Sequence, residues 1–153
     1  PRLCKIPKKK IQKLKIECSE RLVPFLLLYW EKNFRHNIKT FSSKIDFTIH
    51  KGLSQKILPT IKTITLGDYS TKFDFIYVDG SHRGDDTFID GYWSHRHLNI
   101  GGVIIFDDFG WKDPNRPRKV ESPELGIRMW YSAYTDRYEP ILKGYQAGFE
   151  RIK

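Results

Sequence analysis

Two short apolar runs, each ending in polar residues, constrain this sequence more than any other feature. Residues 73–82 read FDFIYVDGSH, and residues 101–108 read GGVIIFDD. Apolar runs this short and this rich in β-branched and aromatic residues are typical of strands buried on both faces of a sheet. Because ligands bind beyond the carboxyl ends of strands in open parallel sheets, the two runs predict one crevice lined by three carboxylates and a histidine.

The rest of the chain alternates between strand and helix patterns. The predicted elements are a strand over 13–17, a helix over 19–35, a strand over 44–50, a short helix over 54–61, a strand over 73–78, a helix over 85–98, a strand over 103–106, a helix over 123–138 and a terminal hairpin formed by 140–144 and 148–152. This order favours an α/β fold with a mostly parallel sheet, right-handed crossovers and an antiparallel C-terminal hairpin. We expect a basic segment at 1–16 and a single domain over 17–153.

The composition agrees with one globular domain. The 153 residues are 39% hydrophobic and 29% charged, and the formal net charge is +9. Much of this excess lies in residues 1–16, which hold one arginine and six lysines and no acid. Such a segment either contacts nucleic acid or acidic lipid headgroups, or it is a solvated end, because charge alone carries no specificity.

The two cysteines, Cys4 and Cys18, are too few for a disulfide framework and lack metal-binding spacing. An intracellular, reducing compartment, the cytoplasm, is therefore the expected location. The sequence has no signal-peptide pattern. The apolar stretch over 22–30 contains Pro24 and is too short to span a membrane.

The acids after the two runs are suited to a hard cation. Mg²⁺ takes oxygen ligands, so Asp79, Asp107 and Asp108 could bind it and leave positions open for a substrate oxygen. A metal bound in this way lowers the pKa of a hydroxyl, and His82 could accept the released proton. The alternative is that these aspartates cap the helices and loops that follow them.

These residues resemble the class I S-adenosylmethionine (SAM)-dependent methyltransferases, and most closely the small-molecule O-methyltransferase and cephalosporin-hydroxylase-like branch, with its "DGSH … GG … DD" pattern. The resemblance covers residues 15–153 and implies a Rossmann-like, doubly wound sheet. It implies that the following residues carry the function: Glu17 at the cofactor ribose, Gly52, Leu53 and Ser54 against the adenine, Asp79 at the cofactor and in catalysis, His82 as a base or substrate contact, and Asp79, Asp107 and Asp108 as metal ligands.

The sequence departs from the family before Glu17. A first strand and a glycine-rich loop that cradles the methionine part of SAM should precede this residue, yet only sixteen residues do, and none is glycine. Leu53 also stands where relatives often have an acid. We therefore expect an N-terminally incomplete sheet, completed by an upstream segment, by a partner chain such as a second copy, or by a rearranged start.

Three functions follow from these patterns. The first is SAM-dependent methyl transfer to a hydroxyl of a small molecule, assisted by a divalent cation such as Mg²⁺. The second is a non-catalytic remnant or binding module of the same fold, and the third is a nucleic-acid methyltransferase or binder. Trp93, Trp111 and Tyr131 either line an aromatic pocket for the acceptor or, more simply, pack in the core.

Overall fold

The computed structural model describes residues 15–17, 32–33, 36, 49–61, 73–112 and 122–153. Its elements are β1 (Lys15–Glu17), β2 (Ile49–Lys51), α1 (Ser54–Ile57) followed by a 3-10 turn (Leu58–Thr60), β3 (Phe73–Val78), α2 (Gly84–His97), β4 (Leu98–Phe106), α3 (Pro123–Ala133), β5 (Tyr138–Lys143) and β6 (Ala147–Arg151). The predicted helix over 19–35 lies outside the described residues except for 32–33, which are helical; residue 36, just after its predicted end, is helical as well. Every helix within the described part of the chain is too short or too polar to cross a membrane.

The strands form two sheets. β1 pairs in parallel with β2, while the second sheet has the order β3-β4-β6-β5. In the second sheet β3 and β4 are parallel, and β6 pairs antiparallel with both β4 and β5. The α/β class, the parallel pairings and the antiparallel terminal hairpin predicted from the sequence are therefore confirmed.

The core lies between the four-stranded sheet and the two long helices. Trp130 of α3 is fully buried and packs against Phe106 of β4, Tyr138 of β5 and Phe149 of β6, with ring centroids 4.8–5.4 Å apart. Burial of each such side chain stabilises the fold by about 2 kcal/mol. The three-residue spacing of Ile127 and Trp130 places them on the buried side of α3, and Tyr134, just after the helix, packs against the same core.

Some predicted boundaries were wrong. β4 begins at Leu98 rather than Val103, because Leu98 already pairs with Phe73 and the register shifts before Val103 pairs with Phe75. Gly101 and Gly102, which precede the predicted strand, lie inside this irregular strand. The helix predicted to reach Tyr138 ends at Ala133, since Tyr138 starts β5 and is buried in the core.

The prediction that β3 is buried on both faces was also wrong. Ile76 and Val78 pack against the core, whereas Phe75 and Tyr77 keep 39% and 38% of their surface exposed. Successive side chains of a strand point to opposite faces, and α2 and α3 cover only the face that carries Ile76 and Val78. A sequence run shows that residues are apolar but not which neighbours cover them.

The first turns of α2 and α3 approach each other through two glycines. A Cβ atom on Gly126 would lie 2.1 Å from the carbonyl oxygen of Gly84. This contact is backbone against backbone, so no side-chain rotation could relieve it. The position therefore requires glycine for packing rather than for backbone conformation.

We expect Gly126→Ala to lower the free energy of unfolding by about 2 kcal/mol or more, because the added methyl forces α2 and α3 apart. Urea unfolding followed by tryptophan fluorescence measures this change. Gly144→Ala is the matched control, since a Cβ at Gly144 meets nothing within 4 Å. Equal stability of the two variants would contradict the close helix approach.

Candidate active site

The carboxyl ends of β3 and β4 bring the three predicted acids together. Val78 pairs with Phe106 in the parallel ladder, and the backbone N–H of Asp107 donates to the carbonyl of Val78 at 2.9 Å. Asp79 and Asp107 therefore leave the sheet side by side. One carboxylate oxygen from each of Asp79, Asp107 and Asp108 lies within 4.8 Å of the others, a spacing at which they could bind a cation.

The backbone turns sharply at Asp108. This residue has φ 56°, the left-handed region, and it is the only non-glycine residue with positive φ in the described part of the chain. Aspartate and asparagine tolerate this conformation better than most residues do. The turn is held by two further backbone bonds, from Trp111 N–H to the Asp108 carbonyl and from Gly110 N–H to the Tyr145 carbonyl.

Two residues that the sequence did not indicate hold the Asp107 carboxylate. The Tyr77 hydroxyl donates to Oδ2 at 2.5 Å, and Gln146 Nε2 donates to Oδ1 at 3.1 Å and to the Tyr77 oxygen at 2.7 Å. The Asp108 N–H also donates to Oδ1. By lone-pair count, both acceptor positions of Oδ1 are used and one remains on Oδ2.

This network determines the charges of its members. Burial raises the pKa of Asp107, but the hydrogen bonds from Tyr77, Gln146 and the Asp108 N–H outweigh it and hold the pKa below its ordinary value. The hydrogen bond to Asp107, together with burial and the nearby carboxylates, raises the pKa of Tyr77 to about 12. At neutral pH, Asp107 is therefore an anion and Tyr77 keeps its proton.

His82 is held in place from two sides. Its Nε2 lies 2.7 Å from Asp108 Oδ2, and its ring stacks on the Trp111 indole with centroids 4.4 Å apart and planes 23° apart. Trp111 is thus part of this site rather than of the core. Tyr131, by contrast, stacks on Phe149 of the core, and Trp93 packs edge-on against Tyr92 on the surface side of α2.

The predicted cofactor residues other than Asp79 lie at the carboxyl ends of β1 and β2: Glu17 is the last residue of β1, and Gly52 to Ser54 follow β2. Because the two strands are parallel and Glu17 pairs with Lys51, their carboxyl ends meet at one edge. The structure describes the backbone of Glu17 but not its side chain. Gly52 has φ 151°, which side chains rarely adopt, and the Leu53 carbonyl accepts the N–H groups of Lys56 and Ile57 to begin α1. Gly52, Leu53 and Ser54 therefore form a tight turn (the 52–54 turn).

A groove with a water-accessible volume of about 50 Å³, open to solvent, connects the 52–54 turn with the end of β3. Its walls come from β3, from α1 and its 3-10 turn, and from α2; the lining residues at its polar end are Ser54, Asp79, Gly80 and Asp90. The other walls are mainly apolar, including Leu58, Phe73 and Ile76. Ser54 and Asp79, predicted separately as cofactor contacts, line this one groove.

Asp90 is a further residue that the sequence did not indicate. It lies in α2 with 5% of its surface exposed, and Ser54 Oγ donates to its Oδ1 at 2.6 Å. Burial raises the pKa of Asp90 to about 6, although the Ser54 hydrogen bond lowers it and Asp86 adds repulsion. The sequence of α2 does not by itself indicate that the side chain of this aspartate faces the interior.

The chain matches a family described as a methyltransferase domain, over residues 12–109. The match covers more than half of the chain and includes β1 to β4 and all three acids. The chain therefore belongs to this methyltransferase-domain family. It is also 24% identical over 102 residues to an uncharacterized protein of Acanthamoeba polyphaga mimivirus, which corresponds to 65% of this chain and 44% of that protein.

Solved structures of methyltransferases share the fold. An O-methyltransferase from Bacillus cereus in complex with SAH is 18% identical, with a TM-score of 0.60 over 93% of this chain and 63% of that chain. TomG, an O-methyltransferase from Streptomyces achromogenes in complex with SAM, is 16% identical with a TM-score of 0.60, over 97% and 64%. MycE, in complex with Mg, SAH and mycinamycin VI, is 18% identical with a TM-score of 0.55, over 94% and 45%. The chain thus spans less than two thirds of each of these proteins.

The raised pKa of Asp90 makes stability depend on pH with a definite sign. Between its ordinary value of 3.8 and about 6, the folded protein binds more protons at this carboxyl than the unfolded chain does, so this group lowers stability as pH rises. Asp90→Asn does not titrate. From pH 4 to pH 7 we expect the free energy of unfolding of this variant to rise relative to that of wild type by about 2 kcal/mol.

Urea unfolding at several pH values measures the difference between the two curves. Asp85→Asn is the control on the same helix: the hydrogen bond with Arg83 lowers the pKa of Asp85, so this exposed group stabilises above its ordinary pKa and its effect is lost as pH falls. Parallel curves for wild type and Asp90→Asn would contradict a buried carboxyl with a raised pKa.

Proposed function

We propose that the chain carries out SAM-dependent methyl transfer to a hydroxyl group of a small molecule. The observation that carries this proposal is the meeting of Asp79, Asp107, Asp108 and His82 at the carboxyl ends of two adjacent parallel strands. Family membership and the likeness to O-methyltransferases in complex with SAM or SAH support it. In this proposal the cofactor occupies the groove beside the 52–54 turn, with Glu17 near its ribose and Asp79 between cofactor and acceptor.

The reaction itself is a direct displacement. The acceptor oxygen forms a bond to the methyl carbon while the carbon–sulfur bond breaks, and the electron pair stays on sulfur, which becomes a neutral thioether. The hydroxyl proton has to leave, and in this proposal His82 accepts it. With its Nε2–H donated to Asp108, its Nδ1 is the basic nitrogen, and stacking on Trp111 fixes the ring plane.

The acids fit a divalent cation. Their donors are carboxylate oxygens that approach within 4.8 Å of one another, and Asp107 Oδ2 retains one acceptor position. Such a donor set suits Mg²⁺, which prefers oxygen ligands. A cation held by Asp79, Asp107 and Asp108 would supply charge stabilisation for the deprotonating hydroxyl. The presence of Mg in the MycE complex supports this part of the proposal.

Asp108→Asn removes one negative charge from the proposed cation site but tolerates the left-handed backbone at this position. We expect cation-dependent methyl transfer, measured in a form of the protein that binds SAM, to fall by about 100-fold or more. We also expect weaker binding of Mn²⁺ in calorimetric titrations. Asp136→Asn, at an exposed carboxylate in the turn after α3, serves as the control. Full activity of Asp108→Asn, or of wild type in excess chelator, would contradict the metal role.

The alternative of a non-catalytic remnant predicts no affinity for the cofactor. If the chain is an enzyme, we expect calorimetry to give a dissociation constant for SAM in the micromolar range, with SAH competing for the same site. An absence of binding at millimolar SAM would favour the remnant. The basic segment 1–16 lies outside the described residues, so the nucleic-acid alternative remains a prediction from the sequence, with steep salt dependence of binding as its signature.

A further inference from the structure

One buried carboxylate contacts both turns that line the proposed cofactor groove. Asp90 Oδ1 accepts the hydroxyl of Ser54 from the 52–54 turn at 2.6 Å. Its Oδ2 faces the turn after β3, where a Cβ on Gly80 would lie only 3.0 Å from it. The Asp90 carboxylate thus bonds to one turn through Oδ1 and lies beside the other through Oδ2, and the two turns follow different strands.

The position of Asp90 has an electrostatic cost that a purely structural residue would avoid. Burial disfavours its anionic form, as the raised pKa shows. Within the described residues Asp90 forms no ion pair with a lysine or arginine, and the hydrogen bond with Ser54 is its one side-chain bond recorded there. An apolar residue of similar size would fill the same space without this cost.

The attachment of the 52–54 turn depends largely on α2. α1 has four residues and no side-chain cap, so its own hydrogen bonds stabilise it little. Within the described residues, two side-chain hydrogen bonds join α1 to α2: Ser54 with the buried Asp90, and Gln55 with Asp86 nearer the surface. A third, between His97 Nε2 and the Leu58 carbonyl at 3.1 Å, holds the 3-10 turn that follows. Of the three side chains from α2, Asp90 is the one that lies beside Gly80 at the end of β3.

We propose that Asp90 is a positioning residue of the cofactor site, which sets the 52–54 turn against the end of β3 and thereby fixes the width of the groove at its polar end. The inference rests on the proposed function for its ligand, SAM. Its structural part, the ordering of the 52–54 turn by Asp90, is independent of whether any cofactor binds. Small residues at Gly80 and Ser54 are what allow one carboxylate to reach both turns.

The test compares Asp90→Ala, Asp90→Asn and Ser54→Ala with wild type by hydrogen–deuterium exchange of the free protein. The informative amides are those of Lys56 and Ile57, which donate to the Leu53 carbonyl. We expect Asp90→Ala and Ser54→Ala to accelerate their exchange by about tenfold or more. Asp90→Asn keeps an acceptor for Ser54 and should restore most of the protection. Amides of β4 and β6 should not change.

Calorimetric titration with SAH then tests whether the ordering of the 52–54 turn by Asp90 affects cofactor binding. If wild type binds SAH, we expect Asp90→Ala to weaken binding by about tenfold, and Asp90→Asn to recover most of the affinity. Asp85→Asn, an exposed acid of the same helix, should leave both exchange and affinity unchanged.

The possible failures are distinguishable. Faster exchange throughout the chain in the variants, or unchanged exchange at Lys56 and Ile57, would overturn the inference whether or not SAH binds. A different result is possible: the variants exchange faster at Lys56 and Ile57 alone, and wild type does not bind SAH. That result would support the positioning of the turn and contradict the proposed function. Unchanged SAH affinity in Asp90→Ala would overturn the role of Asp90 in the cofactor site.

Discussion

The parallel pairing of β3 with β4 is the interaction on which the rest of the site depends. Phe75 to Val78 run alongside Val103 to Phe106, and the ladder continues one step further through the bond from the Asp107 N–H to the Val78 carbonyl. Since backbone hydrogen bonds fix this register, the acids that follow the two strands must emerge together. A shift by one residue would exchange the two faces of a strand and separate them.

The concentration of negative charge that results has to be offset locally. Within the described residues, the hydrogen-bond donors to Asp107 are neutral groups: the Tyr77 hydroxyl, the Gln146 amide and the Asp108 N–H. They stabilise the carboxylate without adding a cationic side chain that would compete with a bound metal. Asp108 instead pairs with His82, which links the acid cluster to the group proposed to accept the proton.

Asp90 lies in a different electrostatic environment from Asp107. It lines a groove with mainly apolar walls, and its pKa is raised to about 6, whereas the pKa of Asp107 is lowered. The contrast follows from their surroundings, because burial outweighs the one hydrogen bond at Asp90, whereas three hydrogen bonds together outweigh burial at Asp107. Folding thus shifts the pKa values of these two carboxyls in opposite directions. Of the two, Asp107 is the one suited to a cation, because its anionic form is favoured.

Local sequence patterns determined the strands, the order of elements and the acids at the strand ends. The composition of the runs at 73–78 and 103–106 was sufficient to indicate two strands and the acids that follow them. The boundaries of β4 and α3 were not predictable in this way, because the pairing of Leu98 with Phe73 and the burial of Tyr138 override local signals. The resemblance to methyltransferases implied roles for the three acids and His82. It gave no indication of the residues that hydrogen-bond to these side chains or stack on them.

Only the tertiary structure decided which side chains complete the site. Gln146 lies 39 positions from Asp107 and Asp90 lies 36 from Ser54, and neither pair has any signature in sequence spacing. Trp111 could be assigned to His82 rather than to the core only once the turn at Asp108 was seen. The sequence determines which groups follow which strands through local backbone preferences, whereas contacts between distant segments depend on how helices and turns pack, and packing is a property of the whole fold.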